Sequence, residues 1–159
     1  MKTLVVYYSA DGHTSRIAEE VANNLGADIY EITPEEKYSA EDLDWTDEES
    51  RVSREHNDEN LRDVKLAGER PLNWEEYDCV IIGYPIWWGI AAWPVNSFVK
   101  SVDWGGKIVL PFCTSHTSGL GDSDLLLKKD ANGGDWKEGA RFFQDASPEK
   151  IREWCEDIN

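Results

Sequence analysis

Two hydrophobic patterns alternate along the chain. Consecutive apolar residues at 4–8, 77–83 and 107–113 predict strands that are buried on both faces of a sheet. A less continuous run at 28–33 predicts a second, more exposed strand, and a weak pattern at 136–143 predicts a fifth. Strands of this kind, without strict alternation of polar and apolar residues, are typical of parallel sheets.

Helical spacing follows most of these strands. Apolar residues recur every three or four positions at 17–25, and Gly26 is a suitable helix end. A second helix is predicted from Pro94, and a third within 121–129. The last is the clearest, because Ser147 is a good N-cap and Pro148 suits the first helical position.

The segment 34–70 is strongly polar and separates the second strand from the third. Runs of acidic residues in it predict one or two exposed helices with loops, covering an edge of the sheet. His56 lies in the most polar part, and we interpret it as a solvated side chain rather than a ligand.

Strands that alternate with helices predict an α/β fold in three layers, with a doubly wound, five-stranded parallel sheet between helices. The chain of 159 residues is expected to form a single domain, residues 1–159. In such folds, ligands bind at the carboxyl ends of the strands. The loops that leave those ends are therefore the places to look for function.

Composition limits the possible partners. The chain has 32 acidic and 16 basic residues, a net charge of −16, which argues against binding to nucleic acid or to anionic membranes. The charge favours docking to basic protein surfaces, although solubility alone or adaptation to a salty cytoplasm would explain it equally well.

Location and cysteine chemistry can also be predicted. No stretch approaches the ~20 apolar residues of a membrane span and no signal peptide pattern opens the chain, so we expect a soluble, cytoplasmic protein. Cys79, Cys113 and Cys155 have no CxxC spacing and apolar neighbours. They are expected to be buried, reduced thiols, and no metal site is predicted.

The turn after the first strand is the first candidate binding site. Its sequence, Ser-x-x-Gly-x-Thr-Ser over residues 9–15, places hydroxyls and backbone N–H groups at the start of a helix, where the helix dipole favours a phosphate. Neither a nucleoside triphosphatase loop nor a Gly-x-Gly-x-x-Gly fingerprint is present. The neutral donors would be the hydroxyls of Ser9, Thr14 and Ser15 with backbone N–H groups. The alternative is an ordinary strand-to-helix turn with an N-cap.

Two further loops should converge on the same edge. Residues 84–90 contain the adjacent pair Trp87 and Trp88, which is costly to expose unless something covers it. Residues 114–121 are rich in hydroxyls and glycine. A phosphate cradle, an aromatic platform and a polar rim suit a flat heteroaromatic ring with a phosphorylated tail, so FMN is the leading candidate. Core packing or a protein interface remains the alternative for the tryptophan pair.

These motifs resemble the flavodoxin family. The likeness rests on the turn at 9–15, the Gly-Tyr-Pro-Ile-Trp-Trp-Gly block at 83–89 and the segment 111–123, and it spans nearly the whole chain. The resemblance implies sheet order 2-1-3-4-5 and noncovalently bound FMN. The cofactor-binding residues that we predict, partly from the turn and partly from this resemblance, are Ser9, Asp11, Gly12, His13, Thr14, Ser15, Pro85, Ile86, Trp87, Trp88, Gly89, Thr114, Ser115, His116, Thr117, Ser118 and Gly119.

The sequence departs from the family pattern in two places. Asp11 and His13 stand where family loops carry a basic or hydroxyl residue and an asparagine. The tyrosine that covers the outer face of the ring in many flavodoxins has no counterpart in residues 114–119. These departures predict either weaker binding of FMN or a ring with one face open to a substrate.

Three functions are consistent with these residues. The leading hypothesis is a low-potential one-electron carrier that docks on basic reductase and acceptor proteins and uses no catalytic residue of its own. The alternative is an FMN-dependent NAD(P)H:quinone-type reductase, with His116 as a proton donor. The third is a non-catalytic acidic interaction module with a vestigial cofactor site, for which Asp11 is the main argument.

Overall fold

The structure is a computed structural model, which describes residues 1–68, 70–116 and 119–158. The strands are β1 (Thr3–Tyr7), β2 (Asp28–Glu31), β3 (Cys79–Trp87), β4 (Ile90–Ala91), β5 (Ile108–Ser115), β6 (Asp135–Trp136) and β7 (Ala140–Phe143). The α-helices are α1 (His13–Leu25), α2 (Arg51–Asn57), α3 (Trp93–Ser101), α4 (Ser123–Ala131) and α5 (Pro148–Ile158). Two short 3₁₀ helices span Glu59–Leu61 and Trp74–Glu76.

The central sheet is parallel and has the order β2-β1-β3-β5, with β6 and β7 both paired to the outer side of β5. Counting β6 and β7 as one position gives the predicted order 2-1-3-4-5. The strand predicted at 136–143 is present but interrupted. Pro111 lies between the β5 residues that pair with β6 and those that pair with β7, and it has no N–H to continue the ladder. β4 forms an antiparallel hairpin with the end of β3.

Residues of β1 show why the sheet has helices on both sides. Leu4 and Val6 belong to one hydrophobic cluster, which also contains buried residues of α3 and α4. Val5 and Tyr7 belong to another, which contains buried residues of α1 and α5. Successive side chains of a strand point to opposite faces, so both faces of β1 are buried. The predicted three-layer architecture is confirmed.

Gly83 of β3 allows an unusually close approach within the sheet. A Cβ atom at this position would lie 2.1 Å from the ring of Phe112, which is fully buried on the neighbouring strand β5. Any side chain at residue 83 would therefore have to displace that ring. The pair fixes how closely the centre of the sheet packs below the carboxyl ends of β3 and β5.

Several local predictions are confirmed. Gly26 ends α1 with a φ of 61°, and Ser147 caps α5 by accepting a hydrogen bond from the backbone N–H of Lys150 at 3.3 Å. All three cysteines are reduced and buried. Over the ranges that the structure describes, no helix is both long enough and apolar enough to cross a lipid bilayer.

The polar segment 34–70 contains two short helices with loops, α2 and a 3₁₀ helix, as predicted. It does not simply cover a sheet edge, because Val52 and Val64 form a small hydrophobic cluster with Trp93. His56 is half-buried and stacks on Trp88, so the prediction that its side chain is solvated is wrong. This neighbour was hidden from sequence analysis because Trp88 lies in the hairpin turn after β3, distant along the chain.

Candidate functional site

A cleft of about 560 Å³ lies where β1, β3 and β5 end. Because these three strands are parallel neighbours, the loops that follow Tyr7, Trp87 and Ser115 meet at the same edge of the sheet. This is where open α/β sheets bind ligands, and the volume is within the usual range for small-molecule sites.

The cleft is formed by five segments of the chain, residues 10–11, 43–52, 85–88, 114–116 and 144. Among the predicted site residues, those that line it are Asp11, Pro85, Ile86, Trp87, Trp88, Thr114, Ser115 and His116. The other lining residues, which we did not predict, are Ala10, Leu43, Trp45, Val52 and Gln144. The remaining predicted residues Ser9, Gly12, His13, Thr14, Ser15, Gly89 and Gly119 do not line this cleft. Thr117 and Ser118 lie outside the described residues.

The turn before α1 holds three backbone N–H groups, each bonded to a nearby side-chain oxygen. The Ser9 hydroxyl accepts hydrogen bonds from the N–H groups of Gly12 and Ser15, both at 3.1 Å. The Asp11 carboxylate accepts one from the N–H of His13 at 3.2 Å. Gly12 has a φ of 95°, which turns the chain sharply into the helix. An anion in this turn would compete with these two side chains for the same donors.

Two of the predicted hydroxyl donors are engaged within the protein. Thr14 is fully buried, and its hydroxyl lies 2.7 Å from the hydroxyl of Thr114 at the end of β5. Ser15 donates a hydrogen bond to the carbonyl of Gly12 at 2.9 Å. The contact between Thr14 and Thr114 fixes the turn against the wall of the cleft formed by β5.

The tryptophan pair belongs to a hairpin rather than to an open loop. β3 continues past Gly83 to Trp87, and the two-residue turn Trp88–Gly89 leads into β4, with Trp87 paired to Ile90. Both turn residues have positive φ, 48° at Trp88 and 81° at Gly89, as in a type I′ turn. This backbone is easy for glycine and unfavourable for tryptophan.

Aromatic neighbours fix the orientation of both tryptophans. Trp87 meets the rings of Tyr8, Tyr38 and Trp93 edge-on, with centroids 5.8, 5.3 and 4.9 Å away. Trp88 is 41% exposed and stacks on His56, with centroids 4.1 Å apart. The hairpin therefore presents a fixed aromatic wall to the cleft.

A buried carboxylate braces this wall from behind. Glu55 of α2 accepts hydrogen bonds from the Tyr38 hydroxyl, from Trp93 Nε1 at 2.9 Å and from Arg51 Nε at 3.2 Å. Burial, followed by the hydrogen bond to Glu55, raises the pKa of Tyr38. The tyrosine remains protonated and donates to a charged acceptor, which makes this a strong interaction.

The opposite side of the cleft is polar. His116 is exposed, and it also lines an adjacent cavity of about 460 Å³ with His13 and Gln144. Behind this side, Arg141 donates a hydrogen bond to the Ser115 hydroxyl at 3.3 Å. Arg16 donates to the carbonyl of Gln144 at 3.0 Å, which holds the loop after β7 beside α1.

Three of the five lining residues missed by sequence analysis share one origin. Leu43, Trp45 and Val52 all come from the polar segment between β2 and β3. In that segment, a tryptophan among acidic residues was the only sequence feature that could have indicated a binding residue.

Among the described residues, no three histidine, cysteine or acidic side chains are grouped closely enough to hold a metal ion.

The fold and the cleft together define an α/β protein with a ligand site at the carboxyl ends of a five-position parallel sheet. The family profile of flavodoxin matches residues 2–158, and the chain therefore belongs to the flavodoxin family. None of the curated proteins compared with the chain matches it.

Solved structures agree with this assignment. A provisionally assigned flavoprotein from Bacteroides uniformis ATCC 8492 is 40% identical over 98% of this chain and 97% of its own, with a TM-score of 0.89. A second from Bacteroides eggerthii DSM 20697 is 40% identical over 99% and 97%, with a TM-score of 0.87. A Lactobacillus acidophilus NCFM flavoprotein, solved in complex with FMN, shares the fold at 21% identity, 94% and 97% coverage and a TM-score of 0.68.

Proposed function

We propose that this protein binds FMN and carries single electrons between protein partners. The observation that supports this most directly is the cleft beside the α1 turn. One side of it is aromatic, the other is polar, and the neighbouring turn has three backbone donors bonded only to local oxygens. These three features suit the apolar face of a planar ring, its polar edge and its phosphorylated tail. The Lactobacillus acidophilus relative is named as a complex with FMN.

The phosphate would be held by the turn. The N–H groups of Gly12, His13 and Ser15 are its donors, once the Ser9 hydroxyl and the Asp11 carboxylate give them up. Both side chains stand in for phosphate oxygens, because they satisfy the same donors with the same kind of atom. The positive end of the α1 dipole adds to the attraction.

The ring would lie in the cleft between the hairpin wall and the polar loop. Pro85 and Trp87 offer apolar contact, while Thr114 and Ser115 offer hydroxyls to its polar edge. When bound, FMN supplies the electron-transfer chemistry, and the protein contributes binding, orientation and electrostatics. The net charge of −16 opposes the further negative charge that reduction of FMN would add to the cleft. The protein is therefore expected to lower the reduction potential of bound FMN.

The same charge supports docking to basic partner proteins. Association driven by an acidic surface is fast at low salt and weakens as the ionic strength rises. We propose a basic reductase on one side of the transfer and a basic acceptor on the other.

Binding is tested by titrating the purified apoprotein with FMN and with riboflavin, following the loss of flavin fluorescence. We expect FMN to bind at least about tenfold more tightly, because only FMN has the charged phosphate for the turn. Equal affinities would contradict the phosphate site. No binding of either flavin would favour the vestigial-site alternative, in which the acidic surface alone is functional.

Carrier and reductase are separated by two measurements on the FMN-bound protein. Stepwise titration with dithionite should consume electrons in two resolved one-electron steps, and NAD(P)H with a quinone should give no steady-state turnover. A single two-electron step with rapid NAD(P)H oxidation would contradict the carrier.

The reductase remains a second candidate because of one observation. His116 lines both the cleft and the adjacent cavity, so a second ligand there would meet an exposed imidazole. If the protein is a reductase, His116→Ala should slow turnover while leaving the reduction potential of the bound FMN nearly unchanged.

A further inference from the structure

Glu55 of α2 is a charged residue buried beside the cleft rather than in it. Only 7% of it is exposed, and it does not line the cleft. A buried carboxylate is costly unless it is paired and fully hydrogen-bonded. The partners of Glu55 therefore indicate what this buried charge holds in place.

The two oxygens of the Glu55 carboxylate have separate partners. Oε1 accepts hydrogen bonds from the Tyr38 hydroxyl and from Trp93 Nε1, the latter at 2.9 Å. Oε2 accepts one from Arg51 Nε at 3.2 Å. Arg51 has further support, because its Nη1 donates to the carbonyl of Glu36 at 2.7 Å. One oxygen thus bonds to aromatic side chains, and the other forms the ion pair.

The two aromatic side chains bonded to Oε1 are the ones that hold Trp87. The rings of Tyr38 and Trp93 both meet the Trp87 ring edge-on, with centroids 5.3 and 4.9 Å away. Each also has a guanidinium over its face, that of Arg51 at 3.7 Å from the Tyr38 centroid and that of Arg62 at 5.0 Å from the Trp93 centroid. Edge-on contacts constrain the angle of a ring as well as its distance. A single oxygen atom therefore fixes both rings that orient Trp87 at the cleft.

We propose that Glu55 is a positioning residue for the flavin site, which acts by holding Tyr38 and Trp93 against Trp87 through its Oε1. The inference rests on the FMN binding proposed above. Without this oxygen, two donors inside the protein lose their acceptor, and their rings turn to find another. Trp87 then loses its fixed orientation, and the flavin ring loses the surface on which it binds.

The test compares Glu55→Met with Glu55→Gln in the full chain. Methionine has a similar length but no oxygen, so all three hydrogen bonds are lost. Glutamine keeps one acceptor oxygen, which satisfies both aromatic donors when it takes the place of Oε1. Only Arg51 then loses a bond, and it retains the carbonyl of Glu36. Both variants should unfold at a lower temperature than the wild type, but only Glu55→Met should disturb Trp87.

Flavin affinity is measured first. Glu55→Met should bind FMN about tenfold more weakly and riboflavin equally so, because the disturbed contact is with the ring and not with the phosphate. Glu55→Gln should stay within about twofold of the wild type for both flavins. The near-UV circular dichroism of the apoprotein, which reports the packing of aromatic side chains, should change in Glu55→Met and not in Glu55→Gln.

Two control variants separate this role from charge and from stability. Glu48→Gln removes a charge from an exposed carboxylate of the same segment that does not line the cleft. Cys155→Ala removes a buried group from the hydrophobic cluster under α1 and α5, so it destabilises the chain away from the cleft. Both controls should keep wild-type flavin affinity. A loss in Cys155→Ala as large as that in Glu55→Met would overturn the inference.

Tyr38→Phe keeps the test open if Glu55→Met does not fold. It removes only the hydroxyl that bonds to Oε1 and leaves the ion pair with Arg51 intact. We expect about threefold weaker binding of both flavins, since Trp93 still bonds to the same oxygen.

Three results would overturn the inference. These are unchanged affinity and circular dichroism in Glu55→Met and Tyr38→Phe, equal losses in Glu55→Gln and Glu55→Met, and a loss confined to FMN. Wild-type protein that binds neither flavin would instead overturn the proposed function. The circular dichroism of the apoprotein variants would in that case still decide whether Glu55 orients Trp87.

Discussion

At the scale of single residues, Asp11 is the side chain whose charge most affects the proposed site. Its Oδ1 accepts a hydrogen bond from the backbone N–H of His13 at 3.2 Å, and its Oδ2 lies 3.9 Å from His13 Nε2. A phosphate that takes the same N–H must displace or approach this negative charge. The aspartate therefore acts as an internal competitor for the anion.

The charge of Asp11 is removed without loss of the acceptor oxygen in Asp11→Asn. We expect this variant to bind FMN about two- to fivefold more tightly at low salt, a modest gain because the side chain is half exposed and screened by solvent. Riboflavin affinity should not change, and the gain should shrink in about 0.5 M salt. An equal gain for riboflavin would show that the substitution acts on the shape of the turn instead.

Thr14 illustrates what residue type alone could not predict. A hydroxyl in a phosphate-type turn is a reasonable ligand from sequence, yet here it is fully buried against Thr114. The pairing depends on how β5 lies beside the turn, one hundred residues further along the chain. Such contacts follow from tertiary packing, which local composition does not encode.

At the scale of elements, the β3–β4 hairpin determines how the aromatic wall is presented. Apolar runs predicted the strands well, because burial on both faces leaves a continuous hydrophobic signature. The same signature could not distinguish a loop from a hairpin after Gly83. The Trp88–Gly89 turn has a positive φ at both residues, and only the glycine indicated this conformation in advance.

The hairpin turn is tested with Gly89→Ala. A methyl group here would meet no atom within 4 Å, so the whole cost comes from the φ of 81°. We expect a loss of about 1 kcal/mol in unfolding free energy, or about 3 °C in melting temperature.

Gly119→Ala is the matched control for this substitution. Its added methyl is also unobstructed, but the backbone is not left-handed there. The control should be nearly neutral. If the two variants had the same melting temperature, the strain assigned to the turn would be wrong.

The segment 34–68 shows where element prediction from sequence reached its limit. Its acidic composition predicted exposed structure, and most of it is exposed. The cleft wall of Leu43, Trp45 and Val52 was missed, because three apolar residues spread over ten positions follow neither the helix nor the strand period. Eight of the thirteen residues that line the cleft could be predicted, and all eight come from the ends of buried strands or from the loops after them.

At the scale of the whole molecule, burial of titratable groups should govern stability in alkali. Burial raises the pKa of the Cys113 thiol from 9.0 to about 12, and that of Cys155 from 9.0 to about 11. Between pH 9 and pH 11–12, the thiols of the unfolded chain have lost protons that the same thiols still hold in the folded chain. Stability is therefore highest below pH 9 and falls as the pH rises towards 11–12.

This fall is measured by urea unfolding in reducing buffer at several pH values from 8 upward. Each retained proton should contribute about 1.4 kcal/mol per pH unit to the slope. Cys155→Ala should be less stable at pH 8 because it leaves a small cavity, yet its stability should fall less steeply above pH 9. An identical slope in the variant would show that the Cys155 thiol does not contribute.

Gly83 and Phe112 also limit how this protein can evolve. With only 2.1 Å between the ring and a Cβ at residue 83, no side chain can be added at 83 while the ring at 112 stays in place. A larger residue at 83 becomes tolerable only after the ring at 112 has been replaced by something smaller. Descendants of this chain would have to make the two exchanges in that order, so the two positions should covary across lineages.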